Sequence, residues 1–281
     1  MRLRMTVSAL LLCCISGAVA QPAAPQLDLL WQIEGLSSPE SVALSADGAF
    51  LYVSNVNGEG DERDGNGFIS RIGVDGEILE REWATGLNGP KGIALAGGAL
   101  FVSDIDQVVI IDASTGKITQ TIPVPGAQFL NDIAVLEDGT VLVADSANAR
   151  ISMISDGHVS VWTEDALLES VNGLLPETNG VTVTTMAGRL LSIDYETRAI
   201  RILAEGLGDG DGVAPLAGGR YLVTEWPGIL HEVRPDGSNI ILLDSRQERR
   251  FLNDILLVGD TLYVPHWIPG GMSAYRVNDI P

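Results

Sequence analysis

One phrase recurs six times along this 281-residue chain: strand-forming residues, a valine, a small residue and then a polar one. It reads Leu51-Tyr52-Val53-Ser54-Asn55 at its first occurrence, Val141-Leu142-Val143-Ala144-Asp145 in the middle and Leu262-Tyr263-Val264-Pro265-His266 at the last. The central valines, at positions 53, 102, 143, 183, 223 and 264, lie 49, 41, 40, 40 and 41 residues apart. Self-similarity at about 40 residues marks a propeller or solenoid, because a single such unit cannot bury its apolar faces alone. Asp-Gly and Gly-Gly pairs such as Asp47-Gly48, Asp75-Gly76, Gly97-Gly98 and Asp138-Gly139 cut each unit into short strands. No stretch carries a sustained helical period. The pattern predicts an all-β six-bladed β-propeller of four-stranded blades. The last blade has room for only one strand after Val264, around Met272 to Val277, so Leu27 to Ile33 is expected to supply the missing strand and close the ring without a free edge.

Residues 1–20 read as a secretory leader: Arg2 and Arg4, an uncharged apolar run from Val7 to Val19, and a small-residue end at Ala18-Val19-Ala20. The run is short for a bilayer span. Cleavage after Ala20 would leave a single domain over residues 21–281, 261 residues in all. That domain has no cysteine and 15 basic against 37 acidic residues, a net charge of −22. Such a chain has no disulfide, no thiolate nucleophile and no zinc–thiolate site. Its charge disfavours nucleic acid and anionic membrane as partners. The expected location is periplasmic or secreted, with no membrane attachment after cleavage.

Eleven to thirteen residues before each central valine stands a polar residue: Glu40, Lys91, Asn131, Asn172, Asp211 and Asn253. Equivalent positions in a radial array point to one axis, so these six are expected to converge at one mouth of the channel. Two carboxylates and three amide oxygens there are hard donors, suited to Ca2+, Mg2+ or Mn2+. Asn, Asp and Gly before a strand are also ordinary turn formers, and such Asn and Asp side chains bond local backbone. Lys91 repels a cation, so it is expected either to lean outward or to meet an anionic or carbonyl group of a ligand. The residues after each valine phrase should lie on the same face. His266, with Trp226 and Trp267 beside the last two phrases, makes that rim a place where an apolar or sugar-ring face could stack.

The surplus in the first interval falls in residues 57–67, an acidic, glycine-rich segment without EF-hand spacing, expected to be a solvated loop on the ligand face. No Gly-x-Ser-x-Gly elbow is present. The run from Gly206 to Gly212 lacks the lysine of a phosphate loop.

At these residues the chain resembles the gluconolactonase/regucalcin (senescence marker protein) superfamily of six-bladed propellers, in a secreted bacterial form, from about Leu36 onward. Glu40-Ser41, Asn131-Asp132, Asn172-Gly173 and Asp211-Gly212 match the four places where that family holds a divalent metal. The resemblance implies Glu40, Asn131, Asn172 and Asp211 as ligands of one ion, Ca2+ foremost, with Mg2+, Mn2+ or Zn2+ as alternatives. It departs at Phe129, where the family has a substrate-contacting arginine. The activity implied is metal-dependent hydrolysis of lactones or related esters. Asp132 or Asp211 would serve as proton acceptor, and Lys91, Trp226, Trp267 and His266 would contact substrate. The alternative is a periplasmic ligand-binding or scaffolding propeller whose metal is structural or absent.

Overall fold

The computed structural model describes residues 23–278; the expected leader, residues 1–20, lies outside them. Six antiparallel four-stranded sheets follow one another, and each is a blade. Blade 1 covers residues 39–87, blade 2 residues 90–123, blade 3 residues 130–164, blade 4 residues 171–205 and blade 5 residues 209–244. Blade 6 combines Leu256–Val258, Thr261–His266 and Gly271–Asn278 with the N-terminal strand Gln26–Glu34. That strand pairs with the last one from Gln26↔Asn278 to Glu34↔Gly271, so the ring closes as the repeat arithmetic requires. The closing strand is also tied sideways, because the Trp31 indole donates to the Val74 carbonyl of blade 1 at 2.9 Å. Gly76 is needed beneath that indole: its φ is +92° and a Cβ there would lie 2.9 Å from the ring.

The core is divided among the seams between blades. Six apolar clusters occupy the six seams: Tyr52, Ile69, Leu100 and Ile111 between blades 1 and 2, for example, and Leu222, Leu230, Leu262 and Tyr275 between blades 5 and 6. A sheet in the ring is covered on both faces, so its middle strands bury every residue, as Val141–Asp145 and Gly180–Thr185 do. All six central valines are fully buried. Outer strands face solvent on one side and read as mostly exposed, as Ile118–Pro123 does.

One local device repeats around the axis. In blades 1 to 5 the two innermost strands lose register after their first one or two pairs: between Pro39 and Val42, Pro90 and Ile93, Leu130 and Ile133, Val171 and Leu174, and Gly210 and Val213. Two residues of the inner strand then face one of its partner, the geometry of a β-bulge, which breaks the ladder and re-aims side chains. The residue opposite the bulge is the small one of the valine phrase, and its hydroxyl repairs the ladder. Ser54, Thr184 and Thr224 accept from the bulge N–H of Ser41, Gly173 and Gly212 at 2.8–2.9 Å. The same hydroxyls cross the seam. Ser54 donates to the Lys91 carbonyl at 2.6 Å, Thr224 to the Asn253 carbonyl at 2.7 Å, Ser103 to that of Asn131 and Thr184 to that of Asp211. Where blade 3 has Ala144, Ser146 bridges to the Val171 carbonyl at 2.5 Å; where blade 6 has Pro265, the Asn253 amide bridges to the Pro39 carbonyl at 2.7 Å. Every seam therefore carries a polar staple beside the axis.

Thr224→Val keeps the shape and removes the hydroxyl, leaving the buried Gly212 N–H and the Asn253 carbonyl without it. The expected loss is about 1–3 kcal/mol in urea unfolding, with Thr224→Ser close to wild type. A valine variant as stable as the parent would remove the staple from the account of blade docking.

Candidate functional site

The bulges of blades 1 to 5 set Glu40, Lys91, Asn131, Asn172 and Asp211 near the start of the inner strands, and Asn253 stands at the matching place just ahead of the inner strand of blade 6. All six are buried, from 3% exposed for Asn172 and Asn253 to 7% for Asp211. Their mutual influence shows that they gather around one axis. Glu40 of blade 1 feels the charges of Asp211, Asp254, Lys91 and Asp132, which come from four other blades. Burial first, and then Asp211 and Asp254, hold the Glu40 carboxyl well above the usual range. Burial and Asp254 raise Asp132 and Asp211 in the same way, and burial lifts Asp254 to about 6.

The amides divide by partner. The Asn172 amide lies beside the Asp211 carboxylate and opposes the rise that burial gives its pKa. Asn131 donates its Nδ2 to Ser146 at 3.4 Å, and its buried Oδ1 has no hydrogen-bond partner. Asn253 is turned to the seam, where it forms the blade 6 staple. Thus Glu40, Asn131, Asn172 and Asp211 keep oxygens for the centre, while Asn253 is spent on structure.

A second layer lies one residue further along each inner strand, and the sequence reading took only half of it. Asp132 of blade 3 and Asp254 of blade 6 occupy equivalent places in opposite blades. Asp132 accepts from the Ile133 and Leu174 N–H groups at 2.7 and 2.6 Å, and Asp254 from Ile255 N–H at 2.7 Å and the Ser41 hydroxyl at 2.5 Å. Glycines make room for them. A Cβ on Gly92 or Gly212 would lie 2.7 Å from Oδ1 of Asp132 or Asp254, respectively. The signal for Asp254 was present in the repeated phrase Leu-Asn-Asp-Ile at 130–133 and 252–255.

Lys91 leaves the plane of the ring. Its ammonium donates to the Gly60 carbonyl at 2.6 Å and to the Gly89 carbonyl at 3.3 Å, and lies 4.2 Å from the centre of the Phe129 ring. Burial lowers its pKa, opposed by Glu40, Asp104 and Asp61. Trp226 and Trp267 stand half-buried at the junction of blades 5 and 6, edge to face at 6.2 Å, with Phe251 against Trp226 at 5.3 Å.

The residues after the valine phrases mostly fasten loops. Asn55 accepts from Ser37 N–H, Asp104 from Asn88 and Gly89 N–H, and Asp145 from Arg150. Glu225 pairs with His231 at 2.7 Å. His266 is 1% exposed, its Nε2 lacks a hydrogen-bond partner, and burial together with Arg250 lowers its pKa to about 3. It is therefore a neutral imidazole at any ordinary pH.

The residues present fit a hard divalent cation: two carboxylates and two amides supply oxygen, one amide oxygen is unsatisfied, and the surrounding acids repel one another in its absence. Among the described residues no three His, Cys, Asp or Glu side chains form a ligand cluster, so such a site depends on its amide oxygens.

No protein-family model matches the sequence, and no curated protein matches it. Solved structures do. A streptogramin B lyase is 13% identical with a TM-score of 0.65, over 90% of this chain and 98% of that one. A candidate gluconolactonase is 17% identical with a TM-score of 0.65, over 92% and 93%. A catalytically inactive virginiamycin B lyase from Staphylococcus aureus, bound to quinupristin, is 14% identical with a TM-score of 0.61, over 89% and 99%. A chain of a nidogen/laminin complex is 17% identical with a TM-score of 0.61, over 75% of this chain and 86% of that one. At such identities the likeness is one of fold, and this fold serves both enzymes and binding proteins.

Asp254 has a carboxyl at about 6 in the folded chain against an ordinary 3.8, so the folded state holds its proton more tightly. Stability in a chelator should then fall as pH climbs through that window, and Glu40, Asp132 and Asp211 act in the same direction. The expected result is a lower melting temperature in EDTA at about pH 7.5 than at about pH 5, restored by Ca2+ only at the higher pH. A melting temperature that rises with pH in EDTA would contradict the burial of these acids around one axis.

Proposed function

We propose that this protein is an exported divalent-metal-dependent hydrolase of lactones or related esters, with the reaction at the channel mouth. The observation that carries this reading is the unsatisfied Oδ1 of Asn131 inside a buried ring with Glu40, Asn172 and Asp211. Those four residues would hold the ion, which supplies Lewis-acid polarisation of a substrate carbonyl when bound. The candidate gluconolactonase and the two lyases support the reading at the level of fold.

The chain's own groups have distinct tasks. Asp211 is the favoured proton acceptor for the attacking water, because both Asp132 oxygens already accept backbone N–H bonds while Asp211 has only the Asn172 amide beside it. Burial raises the pKa of both acids above the usual carboxylate range, which strengthens them as proton acceptors. Asp132 then positions the Leu174 strand, which carries Asn172 two residues earlier. Trp226, Trp267 and Phe251 give an apolar flank for the acyl or ring portion of the substrate, and His266 backs that flank as a neutral group. Export rests on the leader at residues 1–20, in an environment that suits a cysteine-free domain.

A second reading has one observation in its favour: the nidogen/laminin neighbour shows this fold in a protein complex. A binding or scaffolding propeller with a structural ion would bind metal without turnover.

The test compares hydrolysis of a lactone panel by native protein, EDTA-treated protein and Asn172→Ala. Chelation should abolish activity, added Ca2+ or Mn2+ should restore it, and Asn172→Ala should cost at least what removing a supporting residue costs, about 10–100-fold. Activity indifferent to both treatments sinks the mechanism. A large metal-dependent melting shift with no turnover on any lactone favours the binding reading.

A further inference from the structure

Lys91 is the single base in a ring of two acids and three amides, and it is 4% exposed. A buried ammonium ordinarily has a carboxylate partner. None of the ion pairs among the described residues includes Lys91; its hydrogen bonds go to the neutral carbonyls of Gly60 and Gly89, and the Phe129 ring lies on another side. Glu40, Asp104 and Asp61 act on it only through space.

Gly60 belongs to loop 57–67, which joins the second and third strands of blade 1 on the ring face. The loop acids Glu59, Asp61, Glu62 and Asp64 stand exposed, and Gly60 is the half-buried point of contact. Besides Lys91, the loop is held to blade 2 by Arg63 and Asp106 at 2.6 Å, with side chains 54% and 37% exposed, a pair that contributes little in water. Asn57 closes the neck by donating to the Asn66 carbonyl, and Asn57, Gly58 and Gly65 have positive φ. Backbone bonds from Val56 and Asn57 N–H to the Ser38 and Ser37 carbonyls anchor the base of the loop, so its tip is held to blade 2 chiefly by one ammonium–carbonyl bond. A charge-assisted bond to a carboxylate is stronger than a bond to a neutral carbonyl, so an anionic oxygen at the mouth would displace Gly60. The surrounding Glu40, Asp104 and Asp61 would repel a multiply charged anion, which selects a singly charged group.

We propose that Lys91 is the receptor for the carboxylate of a small hydroxy-carboxylate, that the Gly60 carbonyl holds this donor while loop 57–67 is docked, and that ligand binding releases the loop. This deepens the hydrolase reading, since water added across a lactone acyl bond leaves a hydroxyl and a carboxylate on one molecule. The loop then opens as the product forms.

The test needs neither metal nor turnover, so it can fail while the hydrolase reading stands. EDTA-treated protein is digested lightly with trypsin, and the fragment ending at Arg63 is followed by mass spectrometry with 4-hydroxybutyrate or the neutral 1,4-butanediol. Cleavage at Arg63 tracks the open population of the loop. We expect 4-hydroxybutyrate to speed it about tenfold in the parent and 1,4-butanediol to leave it unchanged. Lys91→Met should be cut fast without ligand and ignore 4-hydroxybutyrate, while Lys91→Arg should keep the response. Asp106→Asn, which frees Arg63 and leaves Lys91 untouched, should be cut faster than the parent and still respond; it carries the test if Lys91→Met does not fold. Equal rates with the acid and the diol, or a response that survives Lys91→Met, overturn the proposal.

Discussion

Everything near the axis depends on a hydroxyl that does two jobs. In blades 1 to 5 the innermost strand bulges where its first side chains turn toward the channel, and a bulge leaves a backbone N–H without its ladder partner. Ser54, Thr184 and Thr224 accept that N–H and donate to the next blade's carbonyl. The device that repairs one sheet thereby fixes the spacing between two. The position opposite the bulge is fully buried, and Ser or Thr brings a hydroxyl to it. The exceptions follow the same logic: Ala144 and Pro265 have no hydroxyl, and Ser146 and Asn253 bridge those seams from nearby positions.

The same bulges create the electrostatic problem from which function can arise. Placing Glu40, Asp132, Asp211 and Asp254 around one channel raises all four pKa values, through burial at each of them and through repulsion as well at Glu40, Asp132 and Asp211. The two layers answer it differently. Asp132 and Asp254 are satisfied by backbone N–H groups and a serine hydroxyl, with Gly92 and Gly212 giving them space. The mouth layer is satisfied less well: Asn131 has an unused oxygen, and Lys91, the nearest counter-charge, is drawn up to the loop. A polar ring that the fold leaves partly unsatisfied is where a ligand gains most by binding.

Legibility differed by residue. The ring positions could be found because they sit at a matched distance from a phrase that repeats, and radial repetition turns equal sequence offsets into one place in space. Asp254 carries the same signal as Asp132 in a repeated Leu-Asn-Asp-Ile, but the family resemblance singles out only the Asn131-Asp132 pair. Asn253 shares the ring pattern, but its amide is committed to the last seam, where Pro265 stands in place of a hydroxyl residue. Lys91 gave its sign and not its direction. The residues after the valine phrases face the right side of the disc, but most of them fasten loops, and an acceptor for backbone N–H looks the same in sequence as an acceptor for ligand.

By itself the sequence determined the repeat, the number of blades, the closure by the N-terminal strand and the set of polar side chains brought to one mouth. All of these follow from period and alternation, which are properties of the chain read along its length. Tertiary structure alone decided which oxygens remain unsatisfied, which acids are held by backbone, and that Lys91 meets Gly60 across 31 positions. Those outcomes turn on distances between blades and on competition among partners in a space too small for all of them, and neither is written in the spacing of residues.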